Sequence, residues 1–396
     1  MVVGKKETCG MNIVIDGRMI NESGIGRYLR NLISELQKLD RKNEYYLLLM
    51  RKNYDTSMYQ SNFKKVLADS KWYTLEEQIR LPRILGQIDA DLVHFPHFNV
   101  PYFYDGKFVV TIHDLIHQSF SMERSTHTPL IYGLKHLGYK KIFGNALKKS
   151  EKILVPSNYV KSQLIKKWDI DDEKIVVTYE GVDDKMLTAV SKMSTDKNRK
   201  ILEKFHVRSP YIFYVGNAHP HKNVEGLVKA FTQIHLPGGV ENLSSSHLGG
   251  GKPQLVLAGQ DNFFWRKIKS SAISYQSSDI VYTGYVNDEE LVALYKNASC
   301  FVMPSFEEGF GLPILEAFAL GCPVVSSNAA SLPEVGGDAV IYFDPHDLAD
   351  MGDKIIKVLK SEELRQDLIK KGKERVKRFS WKKMAEKTLE VYQQCV

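Results

Sequence analysis

Cysteine is scarce and scattered in this 396-residue chain: Cys9, Cys300, Cys322 and Cys395 form no C-x-x-C pair. That spacing excludes a disulfide framework and a thiolate-built zinc site, and Cys300 and Cys322 are expected as small core residues. No run of eighteen apolar residues occurs, so no membrane-spanning helix is expected. Residues 1–10 lack the apolar centre of a secretory leader. Both absences lead to the expectation of a cytoplasmic protein. Histidines at pair spacing, His113 with His117 and His94 with His97, have no third ligand spaced to complete a metal site, so no metal is expected. The pairs Asp89-Ala90-Asp91 and Asp169-Ile170-Asp171 precede apolar strand-like runs, the wrong edge of a parallel sheet for holding a catalytic ion. Nothing implies a bound cofactor.

What is present is a globular composition, 43% hydrophobic and 26% charged, with 54 Lys and Arg against 47 acids. The length exceeds one compact core and implies two domains. Charge is unevenly spread: residues 124–168 hold Arg124, Lys135, Lys140, Lys141, Lys148, Lys149, Lys152, Lys161, Lys166 and Lys167 against the single acid Glu151. Ile131, Leu134, Leu137, Ile142, Phe143, Ala146 and Leu147 recur there at helical spacing. Two readings stand open: a basic amphipathic helix lying on the inner face of a membrane, as a peripheral contact, and a core-packed helix with a solvated basic face. No recognised nucleic-acid module accompanies the segment, and no nucleic-acid partner is expected.

Short apolar runs at 11–16, 45–50, 92–95, 108–112, 153–156 and 175–178 alternate with longer amphipathic stretches, the pattern of a parallel sheet flanked by helices. A second series at 211–215, 254–258, 280–282, 300–303, 323–326 and 340–343 repeats it. Between them, 183–208 is polar and poor in strand character, the expected boundary. The expected organisation is α/β: a Rossmann-like domain over 11–190, a second over 209–378, their parallel sheets facing a central cleft, and a capped helix over 379–396. Leu236 to Pro253, rich in Gly and Ser, is expected as a surface loop.

The most informative string is Glu308-Gly309-Phe310-Gly311-Leu312-Pro313-Ile314-Leu315-Glu316. Pro313 suits a first helical position and the glycines permit close backbone approach, so Glu308 falls on a loop and Glu316 one turn inside a helix. A helix N-terminus favours phosphate, whereas carboxylates beside it suit hydroxyls of a ribose and of a sugar attached to that phosphate. That combination is a nucleotide-sugar. Read alone, the string is also compatible with a buried apolar helix bearing solvated acids.

Other candidates follow strands in the same way. Asp16-Gly17-Arg18 and Ser23-Gly24-Ile25-Gly26-Arg27-Tyr28 lead into a helix, where amides at Gly24 and Gly26 can approach a diphosphate; Ser23 at the helix start can cap it. Tyr214-Val215-Gly216 runs into Asn217-Ala218-His219-Pro220-His221-Lys222-Asn223, where Lys222 is placed to stabilise a departing nucleoside diphosphate. His113-Asp114 ends a strand at the same edge.

Together these motifs, across almost the whole chain after Met11, resemble glycosyltransferase family 4, retaining enzymes of GT-B fold whose E-x7-E pair matches Glu308 and Glu316. The resemblance implies donor contacts at Gly309, Phe310, Gly311 and Leu312, a base held near Tyr285 and Val286, and His113 beside the transferred sugar. It also implies that the final helix crosses back to the first domain. His113, Lys222 and Glu308 are thereby the expected catalytic residues, with Glu316 on the ribose. Where the family often has glycine this chain has Ser23, and where many relatives have arginine it has Asn217, carried over as a donor contact. The tone of residues 16–28 and 304–316 resembles bacterial mannosyltransferases of polysaccharide assembly, implying GDP-mannose as donor and a glycan or lipid-linked glycan as acceptor.

Overall fold

The computed structural model describes residues 10–56, 58–116, 129–234, 252–273 and 278–396, with the side chains of 129–137, 234 and 271–273 also outside the description. The chain divides into two units. One comprises the described residues within Met1–Leu115, Ser121–Glu180 and Trp381–Val396, the other those within Ile116–Phe120 and Gly181–Ser380. The division falls just ahead of 183–208, which is helical rather than irregular. Asp183 and Ser194 cap helices Asp184–Ser191 and Thr195–Lys204 by accepting from the amides of Lys185 and Lys197.

The first unit holds a seven-stranded parallel sheet in the order β3-β2-β1-β4-β5-β6-β7. Its strands are β1 (Asn12–Asp16), β2 (Glu44–Leu49), β3 (Phe63–Leu67), β4 (Leu92–Phe95), β5 (Phe108–Thr111), β6 (Lys152–Val155) and β7 (Ile175–Val177). Ile13, Val14 and Ile15 are all fully buried, the continuous burial of a sheet covered on both faces. Val14, Phe95, Val110 and Val155 pack with Leu81, Leu85, Phe143 and Leu164 on one face. β3 is the strand that sequence periodicity misses. Its FKKVL carries two lysines because it is an edge strand, where charge discourages further pairing.

Toward the helices Gly24–Leu39 and Trp381–Cys395, which pack on each other, the sheet presents polar side chains. His94 shares hydrogen bonds with Tyr392 Oη (2.5 Å) and Thr111 Oγ1 (2.8 Å), and Thr111 also meets Tyr28 Oη at 3.1 Å. Both ring nitrogens of His94 are thus engaged within the core. Burial, with a smaller push from His113, lowers the His94 pKa to about 3. Its folded value lies below its unfolded one, so stability is full above the ordinary histidine range and is lost as pH falls from about 6.5 toward about 3, by at most about 1.4 kcal/mol per pH unit. Urea midpoints measured from pH 7 to 4.5 should fall for the native chain and fall less steeply for His94→Gln.

The second unit repeats the architecture with six parallel strands in the order β10-β9-β8-β11-β12-β13: β8 (Tyr211–Val215), β9 (Gln254–Ala258), β10 (Ile280–Gly284), β11 (Cys300–Met303), β12 (Val324–Ser327) and β13 (Val340–Phe343). Cys300 and Cys322 are buried and free, as core residues. In each sheet the order reverses between its first strand and the fourth, at β1/β4 and at β8/β11, the positions where open parallel sheets hold ligands beyond their carboxyl ends. Most of Leu236 to Pro253 lies outside the described residues, as do Arg124, His117 and the side chain of Lys135. A helix does span Pro129–Lys149. Among the described residues no helix is long and apolar enough to cross a membrane.

Candidate active site

In the second unit two turns meet at the carboxyl edge of β8 and β11. After β8 the chain passes Gly216, at φ 155°, where a Cβ would lie 2.8 Å from Tyr214 Oη. It then forms a 3-10 turn over Pro220–Lys222 and reverses at Asn223, left-handed at φ 52°, a conformation asparagine tolerates better than most residues. Asn223 Nδ2 donates to the carbonyls of Pro304 (3.1 Å) and Pro345 (3.0 Å), and Phe306 N donates to His221 O at 2.8 Å. The turn bearing Lys222 is thereby tied to the loop that follows β11.

That loop is held from beneath by serines. Ser327 Oγ donates to Ser305 O (2.6 Å), and Ser331 Oγ contacts the carbonyls of Glu308 (3.0 Å) and Phe310 (2.8 Å). Sequence reasoning missed both hydroxyls; the available signal was serine at the end of a buried strand and at the start of the helix after it, where a buried hydroxyl needs a partner. Gly311 sits at φ 116°, and helix Leu312–Leu320 starts there with Pro313 in its first turn. A side chain at Gly311 would be strained by that backbone conformation and would lie 2.9 Å from Leu332 Cδ2.

The result brings Lys222 and Glu308 together. Lys222 Nζ donates to both carboxylate oxygens of Glu308 at 2.7 Å, and Ser305 Oγ donates to Oε1 at 2.7 Å. The pair is largely out of water, with side chains 19% and 8% exposed. One turn inside the helix Leu312–Leu320, Glu316 is buried and accepts from Tyr295 Oη at 3.1 Å. Burial raises the Tyr214 phenol far above its usual range, and nearby Glu308 adds to the rise. Phe310 is a packing residue here, its ring edge-on to Phe379 at 5.8 Å. Gly309 is buried and Leu312 half-buried. Asn217 is exposed, its Oδ1 accepting from His219 N at 3.3 Å. His221 is buried with its ring parallel to that of His219. Beyond Gly284, at φ 73°, Tyr285 stands 75% exposed with Val286 half-buried beside it.

His113, Gly24 and Gly26 belong to the first unit. His113 Nε2 lies 3.0 Å from Pro96 O, and Nδ1 lies 3.4 Å from Glu180 Oε1. Because a carbonyl only accepts, Nε2 carries a proton. Gly24 opens its helix into free space, whereas Gly26 is buried and a Cβ there would lie 2.5 Å from Ile20 O. Close packing alone thus requires glycine at 26. Ser23 stands at the helix N-cap and makes no side-chain cap hydrogen bond. Among the described residues no three His, Cys, Asp or Glu are grouped to hold a metal.

Two family models match the chain: Glycosyltransferase Family 4 over residues 23–185 and Glycosyl transferases group 1 over 194–375. The chain is 30% identical over 308 residues to the O-antigen chain mannosyltransferase B of Escherichia coli, covering 76% of this chain and 74% of that protein. It is 28% identical to the E. coli serotype-specific mannosyltransferase WbdA over 77% of this chain, a match spanning 35% of that longer protein. Among solved structures, sucrose-phosphate synthase from Thermosynechococcus elongatus superposes with a TM-score of 0.74 at 18% identity, covering 97% of this chain and 98% of that one. This last likeness supports the two-Rossmann GT-B fold.

Proposed function

The chain belongs to glycosyltransferase family 4 and is a nucleotide-sugar-dependent glycosyltransferase, and from that premise we propose that it transfers mannose from GDP-mannose to a glycan or lipid-linked glycan with retention of anomeric configuration. The observation that carries this reading is the buried meeting of Lys222 with Glu308, on the loop that leads into the helix bearing Glu316. In the proposed mechanism Lys222 moves to the diphosphate, whose negative charge grows as the glycosidic bond breaks, so its attraction is stronger in the transition state than in the ground state. Glu308 accepts from hydroxyls of the transferred sugar and Glu316 from the ribose, while Tyr285 and Val286 border the base. The acceptor hydroxyl attacks the face from which the diphosphate leaves, passing its proton to the departing phosphate oxygen. The protein's part is then positional and electrostatic. His113, with its ring anchored on Pro96 and Glu180, stands beside the sugar in this scheme.

The mannosyltransferase relatives support the choice of sugar and a growing polysaccharide as acceptor. A membrane-side acceptor has further support in the first unit. Lys140, Lys141 and Lys148 are exposed on the Pro129–Lys149 helix, and the adjoining loop, tied to it by Asn145 Nδ2 donating to Tyr102 O at 3.1 Å, exposes Phe103 at 77%. Lysines beside an exposed aromatic suit an anionic lipid surface.

The test incubates the protein with a panel of labelled nucleotide-sugars and acceptors, each supplied free or on anionic vesicles. The expected result is release of GDP from GDP-mannose only when a glycan acceptor is present, with vesicle-borne turnover suppressed by high salt. Binding without turnover on every acceptor would make the chain a non-catalytic scaffold. Salt-insensitive turnover on a free saccharide would make it a sucrose-synthase-like enzyme with a soluble acceptor.

A further inference from the structure

Resting on that reading of the site, we propose that Glu308 acts as an internal competitor for the phosphate-binding lysine, and so makes the enzyme discriminate a nucleotide-sugar from the free nucleoside diphosphate it releases. The Lys222 ammonium is held by both oxygens of Glu308, each at 2.7 Å. A carboxylate therefore takes the interaction that a phosphate oxygen would take. Three links hold the arrangement in place. Asn223 fastens the lysine's turn to Pro304 O, Ser331 fastens the glutamate's backbone, and Ser305 Oγ donates to Glu308 Oε1.

A diphosphate entering this site must draw Lys222 away, and that leaves a carboxylate only 8% exposed without its cation. An unpaired buried charge is costly, because burial withholds the water that would otherwise solvate it. Among the described residues, Ser305 is the one donor to the Glu308 carboxylate besides Lys222. A nucleotide-sugar solves the problem by bringing hydroxyls that donate to Glu308 as the lysine leaves. A nucleoside diphosphate keeps its ribose hydroxyls for Glu316 but lacks the transferred sugar, so at Glu308 it brings only further negative charge. The pair thus opens fully for the donor and resists the product, which favours product departure after each transfer.

The experiment is calorimetric titration of GDP, UDP, GDP-mannose and UDP-glucose into the native protein, Glu308→Gln and Ser305→Ala. In the native protein the preferred nucleotide-sugar should bind at least roughly tenfold tighter than its diphosphate. Glu308→Gln should tighten diphosphate binding by roughly tenfold while weakening the nucleotide-sugar, because the neutral amide holds the lysine through one oxygen without a charge and does not repel phosphate. Ser305→Ala removes the remaining donor, so diphosphate binding should weaken several-fold, in the opposite direction, with a smaller change for the nucleotide-sugar. Unchanged or weaker diphosphate binding in Glu308→Gln, with the circular dichroism spectrum preserved, overturns the inference while leaving the proposed function standing. If Glu308→Gln fails to fold, unchanged diphosphate binding in Ser305→Ala overturns it equally. Absence of binding by all four nucleotides to the native protein would sink the proposed function and this inference together.

Discussion

Replacing Lys222 with methionine is expected to lower the rate of sugar transfer by about 10²–10³-fold, the range seen when a fixed electrostatic group facing developing charge is removed. The argument runs from the leaving group. A nucleoside diphosphate becomes more negative as the sugar departs, and the turn bearing Lys222 is fixed by Asn223 and by Phe306 N on His221 O. Once Lys222 has moved from Glu308 to the bound diphosphate, its fixed turn holds the cation in place as charge develops. Methionine keeps the length and apolar stem of lysine without the charge. It also strands Glu308, so the second unit should lose some stability, and circular dichroism and thermal unfolding would accompany the kinetics. The transfer defect should far exceed any loss of folded protein at the assay temperature and should lie mainly in kcat. A folded variant that retains near-native turnover would remove Lys222 from the proposed mechanism.

Arg18→Ala is expected to cost the protein about 3–5 kcal/mol, the range for removing one partner of a buried ion pair. Arg18 is 3% exposed, and its guanidinium reaches Asp16 through Nε (2.8 Å) and Nη2 (2.6 Å), Glu77 through Nη2 (2.6 Å) and Ser70 O through Nη1 (3.0 Å). Burial opposes the arginine's charge, yet Asp16 and Glu77 together keep its pKa raised. Alanine would leave both carboxylates buried, with Glu77 retaining Asn99 Nδ2 (2.6 Å) and Tyr73 N (2.9 Å).

The pH dependence of that loss has a definite sign. Burial raises the Glu77 pKa above its ordinary value even with Arg18 pulling it down. A carboxyl whose folded pKa is raised takes up more protons folded than unfolded, so stability falls as pH rises from the ordinary carboxylate range through the raised value. Removing Arg18 raises that value further. Urea unfolding should therefore show the Arg18→Ala deficit shrinking on acidification. A deficit below ~1 kcal/mol at pH 7, or one that grows with acid, would contradict the account. Arg18→Lys keeps the charge without the planar fork and should fall between.

The role of Arg18 also marks where sequence reading ends. Asp16-Gly17-Arg18 was legible as the segment following the first strand, but Glu77, its second partner, lies 59 residues away. The same holds for the Lys222–Glu308 pair, 86 residues apart, and for His94 with Tyr392, 298 apart. Nothing near His94 in the sequence indicated that its ring would be held by a tyrosine of the helix Trp381–Cys395.

The chain by itself determined what depends on neighbours a few residues away. Apolar runs of strand length alternating with amphipathic stretches specify parallel sheets with helices. β8, β9, β11 and β13 lie where those runs predict, and glycine, proline and the eight-residue interval place Glu316 one turn into its helix. Tertiary structure alone decided which buried charges face each other, which glycine is required by packing, as Gly26 is against Ile20 O, and that a lysine-bearing run becomes the edge strand β3. Periodicity records only which face of an element is buried. The partner on that face is chosen by sheet order and by the way the loops beyond the strand ends are tied together, through contacts between residues far apart in the chain.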